Sequence, residues 1–441
     1  MSAFEIRFAP RENAAQDPIE RAAGADPSIF VGDLCLTELE DRLAQTVRPT
    51  VRASAYRLAY WLAENWWRLR WEPERDDLDW RMSHCLAAAG GGDVWSALTL
   101  VGDGENVILR MRPSTATAIE NIRYLLRDDV QIPVEAFVAG IDGFLDAVID
   151  RLGTTGHPQT DLQALWSEVQ AERRSPDAAR WRKLEAIAGL DPDAEEGAFL
   201  DLLLAQQART GLAAVEELLA AFKQAAPMAL ANLLDVPHRS RTTLGMPDIE
   251  PLRRRARAEP AKRLSRGAVY GGGEAPWQRA YRLADAARAH WGFEPGALSN
   301  ARLVGALGMR EADLTTPAPT SMTQLSVGYR DDAGVLTVTL GARPPTSRRF
   351  ALARLVGDHL ATADDERLLP ATTAKTSRQK FQRAFAQQLL CPVEDLIAFL
   401  DTSNPNDDQI EDAAGAFDVS PLLIKTTLVN HGFIDRQALS E

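Results

Sequence analysis

Residues 348–360 read RRFALARLVGDHL, and this segment decides the fold expected for the C-terminal part of the chain. Its apolar side chains recur at helical spacing, which predicts a helix with one buried face. Two charged residues on this helix, Arg354 and Asp358, are four positions apart, and side chains at that spacing are neighbours on a helix surface. We expect them to form an ion pair within the fold, because pairing avoids leaving either charge buried alone.

Two further segments follow this helix. Residues 376–392 read TSRQKFQRAFAQQLLCP and predict a second helix. Residues 410–434 read IEDAAGAFDVSPLLIKTTLVNHGFI and predict a helix–turn–helix, in which Ser420 is a suitable N-cap and Pro421 occupies the first helical position. The second helix of that motif offers Lys425 as its one basic residue, so the motif is a poor candidate for reading DNA.

Together, these three segments resemble the C-terminal region of ImmA/IrrE-type metallopeptidases. The first segment follows the family pattern F-x-L-A-H-E-x-G-H, and the second follows E-A-x-x-F-A-x-x-L-L-M-P. The resemblance covers roughly residues 276–434 and implies a zincin-like domain with a small β-ribbon before the metal-binding helix. Two strand-like runs, 324–329 and 335–340, fit that ribbon. The matched positions are Phe350, Leu352, Ala353 and Gly357 in the first pattern and Phe385, Ala386, Leu389, Leu390 and Pro392 in the second.

The resemblance fails at the positions that hold zinc. In the family, two His residues on one helix face bind zinc, and the Glu beside the first His is the general base. A Glu on the second helix supplies the third ligand. This chain has Arg354, Leu355 and Asp358 at the first three positions and Phe381 at the fourth. The resemblance therefore implies a retained scaffold without catalysis, and we expect a pseudo-enzyme with no metal and no other cofactor.

An active zinc metallopeptidase with non-standard ligands is the alternative in the enzyme class. It would need ligands such as Asp358, His359 and His431, and it predicts metal in the purified protein. His359 stands one residue beyond the expected ligand position, and one residue turns a helical side chain by about 100° around the axis.

Basic residues accumulate around the two predicted helices, on a protein whose formal net charge is −13. If their side chains converge, they form a groove that attracts anions. The expected occupant is an acidic peptide segment, from a partner protein or from the chain's own residues 364–366, lying along the strand 335–340. Nucleic acid is the less favoured occupant. The residues expected to line this groove are Arg343, Arg348, Arg349, Lys375, Arg378, Lys380 and Arg383.

Length and composition place the chain among globular proteins. Its 441 residues exceed what one compact core holds, and 45 % of them are hydrophobic, which argues against long disordered stretches. Three cysteines far apart in the sequence predict free thiols rather than a disulfide framework. The sequence lacks the features of a signal peptide and any apolar run of spanning length, so we expect a cytoplasmic protein that does not associate with membranes.

The pattern along the chain predicts a predominantly helical α+β protein with four regions. The first region includes a β-hairpin at 94–112, because two β-rich runs flank an Asp-Gly turn. The third region is crowded with proline, glycine and arginine without apolar periodicity, which is typical of a linker. The regions are an N-terminal α+β domain at 1–157, a helical region at 158–236, a linker at 237–275 and the zincin-like domain at 276–441.

The resemblance also suggests a biological setting. ImmA/IrrE-type proteins cut or regulate repressors and stress regulators in phages, mobile elements and defence loci. By that resemblance, we expect a catalytically inactive regulatory or interaction protein in phage or mobile-element regulation or in anti-phage defence. The alternatives are a DNA-binding regulator, which predicts DNA binding with a steep salt dependence, and the active peptidase, which predicts bound zinc.

Overall fold

The computed structural model describes residues 4–11, 15–50, 52–90, 94–114, 121–194, 197–257, 275–315, 325–341, 344–401 and 405–435. Helices hold 55 % of the described residues and strands 15 %, which confirms a predominantly helical protein that mixes helices and strands. The chain divides into two compact units, with the boundary between Gly197 and Ala198. Within the described ranges, no helix combines the length and the apolar character that crossing a membrane requires.

The first unit is built from short antiparallel sheets and the helices packed on them. Its described strands form the sheets β1-β2-β3 with β6 beside β2, β5-β4-β9 and β10-β8-β7. The strands are β1 (Phe4–Pro10), β2 (Gly24–Val31), β3 (Leu34–Cys35), β4 (Leu39–Asp41), β5 (Thr46–Arg48), β6 (Ala53–Ser54), β7 (Thr99–Gly102), β8 (Asn106–Arg110), β9 (Ile122–Tyr124) and β10 (Asp129–Pro133). The helices are α1 (Pro18–Ala22), α2 (Ala55–Glu64), α3 (Trp66–Trp71), α4 (Leu78–His84), α5 (Val134–Thr154), α6 (Asp161–Arg174) and α7 (Pro176–Ala188).

The predicted hairpin of the first unit is confirmed. Strands β7 and β8 pair antiparallel, with Leu100 opposite Leu109. The Asp103 carboxylate accepts hydrogen bonds from the backbone N–H groups of Glu105 and Asn106, at 3.1 and 2.9 Å, and closes the turn. Gly104 has φ +102°, a backbone conformation that glycine adopts at no steric cost.

The second unit holds a four-stranded antiparallel sheet of order β11-β13-β12-β14, surrounded by helices. Its strands are β11 (Thr242–Thr243), β12 (Ser326–Arg330), β13 (Leu336–Thr339) and β14 (Leu368–Ala371). The helices are α8 (Ala198–Leu204), α9 (Gln207–Thr210), α10 (Leu212–Phe222), α11 (Ala226–Leu234), α12 (Glu250–Arg257), α13 (Pro276–His290), α14 (Asn300–Ala306), α15 (Glu311–Thr315), α16 (Pro345–Ala361), α17 (Ser377–Leu390), α18 (Val393–Leu400), α19 (Asp407–Phe417) and α20 (Pro421–Asn430). The predicted ribbon is present as β12 and β13, directly before α16.

The predicted region boundaries differ from the observed units. The helical region 158–236 is not a unit of its own, because α6 and α7 belong to the first unit and α8 to α11 to the second. The linker prediction is wrong for residues 237–257. Leu244 and Leu252 there are each 3 % exposed in the core of the second unit, and β11 pairs with β13. Leu244 and Leu252 are eight positions apart and form no apolar periodicity, so nothing in the sequence indicates that they are buried. Residues 258–274 lie outside the described part.

Close contact between α16 and α17 sets the geometry of the C-terminal region. Gly357 on α16 lies against the ring of Phe385 on α17, and a Cβ added at Gly357 would come within 3.0 Å of three Phe385 atoms. Phe385 is fully buried, so the ring has no solvent-exposed space into which to move. The glycine of the sequence pattern therefore serves close helix packing.

Gly357→Ala is expected to lower the free energy of unfolding by about 1–3 kcal/mol, because the new methyl group overpacks the core. Urea denaturation of the full chain measures this change. Gly415→Ala in α19 is the matched control, since nothing lies within 4 Å of its added Cβ. There the better helix propensity of alanine should raise stability by up to about 1 kcal/mol. Equal effects of the two substitutions would contradict the packing argument.

Candidate functional site

The positions aligned with the zinc ligands come together where α16 packs on α17. Arg354 on α16 contacts Gln382, and Asp358, one turn later, contacts Arg378. Phe381 lies between those two contact points on α17 and is 3 % exposed. The three ligand positions therefore share one interface between the two helices.

The buried carboxylate of this interface pairs with a different arginine from the one predicted. Arg378 donates from Nε to Oδ1 of Asp358 at 2.9 Å and from Nη2 to Oδ2 at 2.8 Å. The prediction of an Arg354–Asp358 ion pair is wrong, because Asp358 has both oxygens bound by Arg378. The spacing along α16 brings Arg354 near, but Arg378 from α17 offers the bidentate geometry that a guanidinium and a carboxylate favour.

Arg354 binds uncharged acceptors instead. Its Nη2 donates to the carbonyl oxygen of Thr372 at 2.7 Å and to the side-chain oxygens of Gln379 and Gln382. Burial lowers the pKa of Arg354 to about 9, because the charged form loses hydration there. The next residue, Leu355, is fully buried in the core of the second unit, at the position of the family's general base.

Two carboxylates from outside this helix pair join the network. Glu217 on α10 is 5 % exposed, and its oxygens accept from Thr376 Oγ1 at 2.8 and 2.9 Å. Glu366 accepts hydrogen bonds from two backbone N–H groups at the start of α10, at 3.0 and 3.2 Å. One oxygen of Glu366 also lies 3.9 Å from Nη1 of Arg378. Helix α10 is therefore anchored by acidic residues to the segments that carry the positions aligned with the zinc ligands.

Burial dominates the electrostatics of these two glutamates. It raises the pKa of Glu217 and of Glu366, and the charge of Arg378 opposes the increase in both. Sequence reasoning missed both residues. The one available signal is the position of Glu217 on α10, whose sequence LAAVEELLAAF is otherwise apolar. A carboxylate on the buried face of such a helix implies a hydrogen-bonding or charged partner elsewhere in the fold.

The expected anion-binding groove is not formed by the arginines before and within α16. Arg348 is 3 % exposed and donates to the carbonyl oxygens of Leu314 and Leu340, at 2.7 and 2.9 Å. Arg349 is 1 % exposed and donates to Asn300 Oδ1 at 2.7 Å, with Asp418 at 3.2 Å. The prediction that these two line an open groove is wrong, because their hydrogen bonds tie α14, α15 and the end of β13 to α16 inside the fold.

The other predicted groove residues are dispersed. Arg378 is committed to Asp358, and Arg383 donates to the carbonyl oxygen of Ala374 at 3.1 Å. Lys375 is exposed and Lys380 is partly buried. Arg343 lies outside the described residues. These side chains do not form a single exposed cationic surface in the described part of the chain.

The expected docking strand is also occupied. Strand β13 lies between β12 and β11, with Thr242 of β11 opposite Val338, so its outer side is paired over that length. The expected acidic occupant, residues 364–366, lies elsewhere. Asp364 pairs with arginines of α12, and Glu366 binds the start of α10. The segment that covers β13 comes from the region predicted as a linker.

The alternative zinc ligands are not brought together. Asp358 is bound to Arg378, and His359 Nδ1 accepts from Nε of Arg330 at 3.1 Å. Burial, followed by the nearby positive charge of Arg330, lowers the pKa of His359 to about 3. His431 instead stacks on Tyr281. Among the described residues, no group of three or more His, Cys, Asp or Glu side chains is arranged to hold a metal ion.

The helix–turn–helix presents acidic rather than basic side chains. It consists of α19 and α20, with Ser420 accepting the N-cap hydrogen bond from the backbone N–H of Leu423. Lys425 on α20 pairs with Asp407 at 2.9 Å, so its charge is neutralised locally. Such a surface repels phosphates. The exposed acids of α19 are Asp407, Asp408, Glu411 and Asp412.

Comparison with protein-family models, with curated proteins and with solved structures gave no match for this chain. The resemblance of the three C-terminal segments to ImmA/IrrE-type peptidases therefore stays a prediction.

Asp358→Ala is expected to lower the free energy of unfolding by about 3–5 kcal/mol, because Arg378 would be left buried without the carboxylate that accepts its two hydrogen bonds. Asp407→Ala, which removes the exposed partner of Lys425, is the control and should cost less than about 1 kcal/mol. Urea denaturation compares the two. A loss below about 0.5 kcal/mol at Asp358 would mean that the pair is superficial.

Glu217→Gln is expected to make stability less dependent on pH. A carboxyl whose pKa is raised by folding binds a proton on folding, so its stabilising contribution is present at low pH and is lost as pH rises through the folded pKa. The variant should therefore gain relative to wild type as pH rises from the ordinary pKa of a glutamate, about 4.3, through the raised folded pKa, and then level off. Unfolding in urea at each pH measures the difference.

A constant difference across that range would contradict a raised pKa at Glu217. The groups that face this carboxyl are Arg378, Asp358, Thr376 and Gln379, together with the charges of Arg354 and Arg383. Wild type and variant differ only at Glu217, so the titration of the other groups cancels to first order in the difference between their free energies of unfolding.

Proposed function

We propose that the second unit is a catalytically inactive, ImmA/IrrE-like pseudo-peptidase and that the protein acts by binding rather than by cleavage. The observation that carries this proposal is the bidentate Arg378–Asp358 pair at the position of the second zinc-binding His. A carboxylate held by two hydrogen bonds from a guanidinium has its charge compensated and one lone pair on each oxygen occupied, so a metal ion would have to compete with the arginine. The side chains at the other ligand positions, Arg354 and Phe381, offer no lone pair for zinc.

The arrangement of the helices supports the family part of the proposal. The ligand positions 354, 358 and 381 face one another across a contact made close by Gly357 and Phe385. A metalloprotease of this kind needs two ligands one turn apart on one helix and a third from the helix packed against it. The backbone positions suit that arrangement, whereas the polar side chains present there bind one another and neighbouring backbone groups instead of a metal ion.

Helix α10 supports the non-catalytic part. Glu217 on α10 and Glu366, which binds the start of α10, bring negative charge to Arg378 from within the chain. Because these carboxylates belong to the chain itself, Arg378 needs no substrate to supply negative charge. By the resemblance, the setting we propose is phage or mobile-element regulation or anti-phage defence, in which the protein would bind another protein.

The test compares zinc content in two proteins. Wild-type full-length protein, purified after growth with added zinc, is expected to contain far less than one zinc per chain by elemental analysis. The variant Arg354→His, Asp358→His, Phe381→Glu restores the family's ligand set. It should bind about one zinc and gain thermal stability when zinc is added, because a ligand that binds the folded state stabilises it.

The outcomes separate the two parts of the proposal. Stoichiometric zinc in the wild type, with proteolysis lost on chelation, would overturn the pseudo-enzyme assignment. A folded triple variant that takes up no zinc would overturn the family geometry. If the triple variant does not fold, Phe381→Glu with Arg354→His alone keeps the Arg378–Asp358 pair and still tests whether the two sites converge on a metal ion.

A further inference from the structure

Helix α12 places a row of arginines on the surface of the second unit. It was expected to be part of a linker, but Leu252 is 3 % exposed in the core and fixes the helix against its neighbours α13 and α16. Arg253 is 8 % exposed and is held by Asp364. The remaining arginines of the helix, Arg254, Arg255 and Arg257, are exposed. The fold therefore presents these three guanidinium groups from a rigid element.

The acidic partners of α12 do not balance its charge. One carboxylate, Asp364, serves two cations, because Arg257 also donates to it at 3.0 and 3.1 Å while Arg253 binds the same group. Arg254 and Arg255 make no ion pair within the described part of the chain. The helix carries one acid of its own, Glu250, at its opposite end.

A buried arginine near α12, Arg330, adds to the excess of positive over negative side chains in this part of the fold. Arg330 is 4 % exposed and donates to the carbonyl oxygens of His359 and Glu366, at 2.9 and 3.2 Å, and to no carboxylate. Arg330 therefore forms no direct ion pair among the described residues, and the more distant charges of Asp358 and Asp364 are its acidic neighbours. The repulsion is felt within the fold, because the charges of Arg330 and Arg253 both lower the pKa of His359 after burial.

We propose that the exposed arginine face of α12 binds the phosphate backbone of nucleic acid, without reading its sequence. This inference is independent of the proposed pseudo-peptidase. Arginine presents a planar fork that matches phosphate oxygens, and Arg254 and Arg257 lie three residues apart on one side of the helix. The surface is small and the rest of the protein is acidic, so binding is confined to low ionic strength and falls steeply as salt is added.

The composition of the face favours a nucleic acid over an acidic protein segment. Hot spots of protein interfaces, which include Trp, Tyr and Arg, lie in well-packed pockets from which water is excluded, and such pockets need apolar surroundings. The single large apolar side chain of α12, Leu252, is already buried in the core. What remains outside is a set of arginines, which suits contacts with repeated phosphates. The seven residues first expected to bind anions do not supply this surface, since four of them, Arg348, Arg349, Arg378 and Arg383, form the internal contacts described above.

The experiment measures binding of the full-length protein to a fluorescein-labelled 30-base-pair DNA duplex by fluorescence anisotropy, from about 30 to 200 mM salt. Arg254→Glu/Arg255→Glu is expected to weaken binding at least about tenfold at low salt and to lower the salt slope by about two. The control Arg174→Glu/Arg180→Glu changes the net charge equally on exposed helical arginines of the first unit and should bind like wild type.

Each other outcome overturns the proposal. Absence of DNA binding by wild type at 30 mM salt would do so, and so would equal losses in the two double variants, which would indicate a general charge effect. A labelled poly-glutamate peptide that binds as tightly, with the same sensitivity to Arg254 and Arg255, would assign the face to acidic proteins instead. Circular dichroism confirms folding, and Arg254→Gln/Arg255→Gln repeats the test if charge reversal disturbs the helix.

Discussion

The second unit depends on how one buried guanidinium is neutralised. Arg378 sits where α16, α17, β14 and α10 approach one another, and it is held by Asp358 in a bidentate pair, with Glu366 at 3.9 Å. Burial lowers the pKa of an arginine, but the charge of Asp358 and its hydrogen bonds outweigh this and raise the pKa of Arg378, so the group stays a cation. A permanent buried cation obliges its surroundings to supply negative charge. Besides Asp358, Glu217 on α10 and Glu366 in the loop after α16 supply negative charge near Arg378.

Buried arginines elsewhere in this unit are satisfied in a different way. Arg348, Arg330 and Arg288 direct most of their donors to backbone carbonyl oxygens. Carbonyl groups in loops have no regular partner, and a guanidinium with five donors can bind several at once. These side chains therefore act as internal braces between loops and helices. The same property explains why a cluster of basic residues in the sequence need not become a basic surface.

Local structure followed from the sequence, whereas long-range partners did not. The hairpin β7–β8, the ribbon β12–β13 and helices α16, α17, α19 and α20 depend on periodicity and turn residues within short stretches. The partner of Asp358 depends on which helix packs against it, and the spacing along α16 favoured Arg354. The role of Glu217 depends on a contact with Thr376 across 159 positions. The structured part of the supposed linker rests on Leu244 and Leu252, two residues that form no pattern.

The sequence separation between α10 and its partners has a consequence during protein synthesis. The chain leaves the ribosome from its N-terminus, so α10 emerges while the residues that neutralise and cover Glu217 have not yet been translated. Helices that must wait for distant segments expose apolar surface and fold slowly, because a large loop has to close before any contact is gained. The second unit therefore completes its core late, once α17 has emerged. Until then, the apolar face of α10 is exposed and is a binding site for a chaperone.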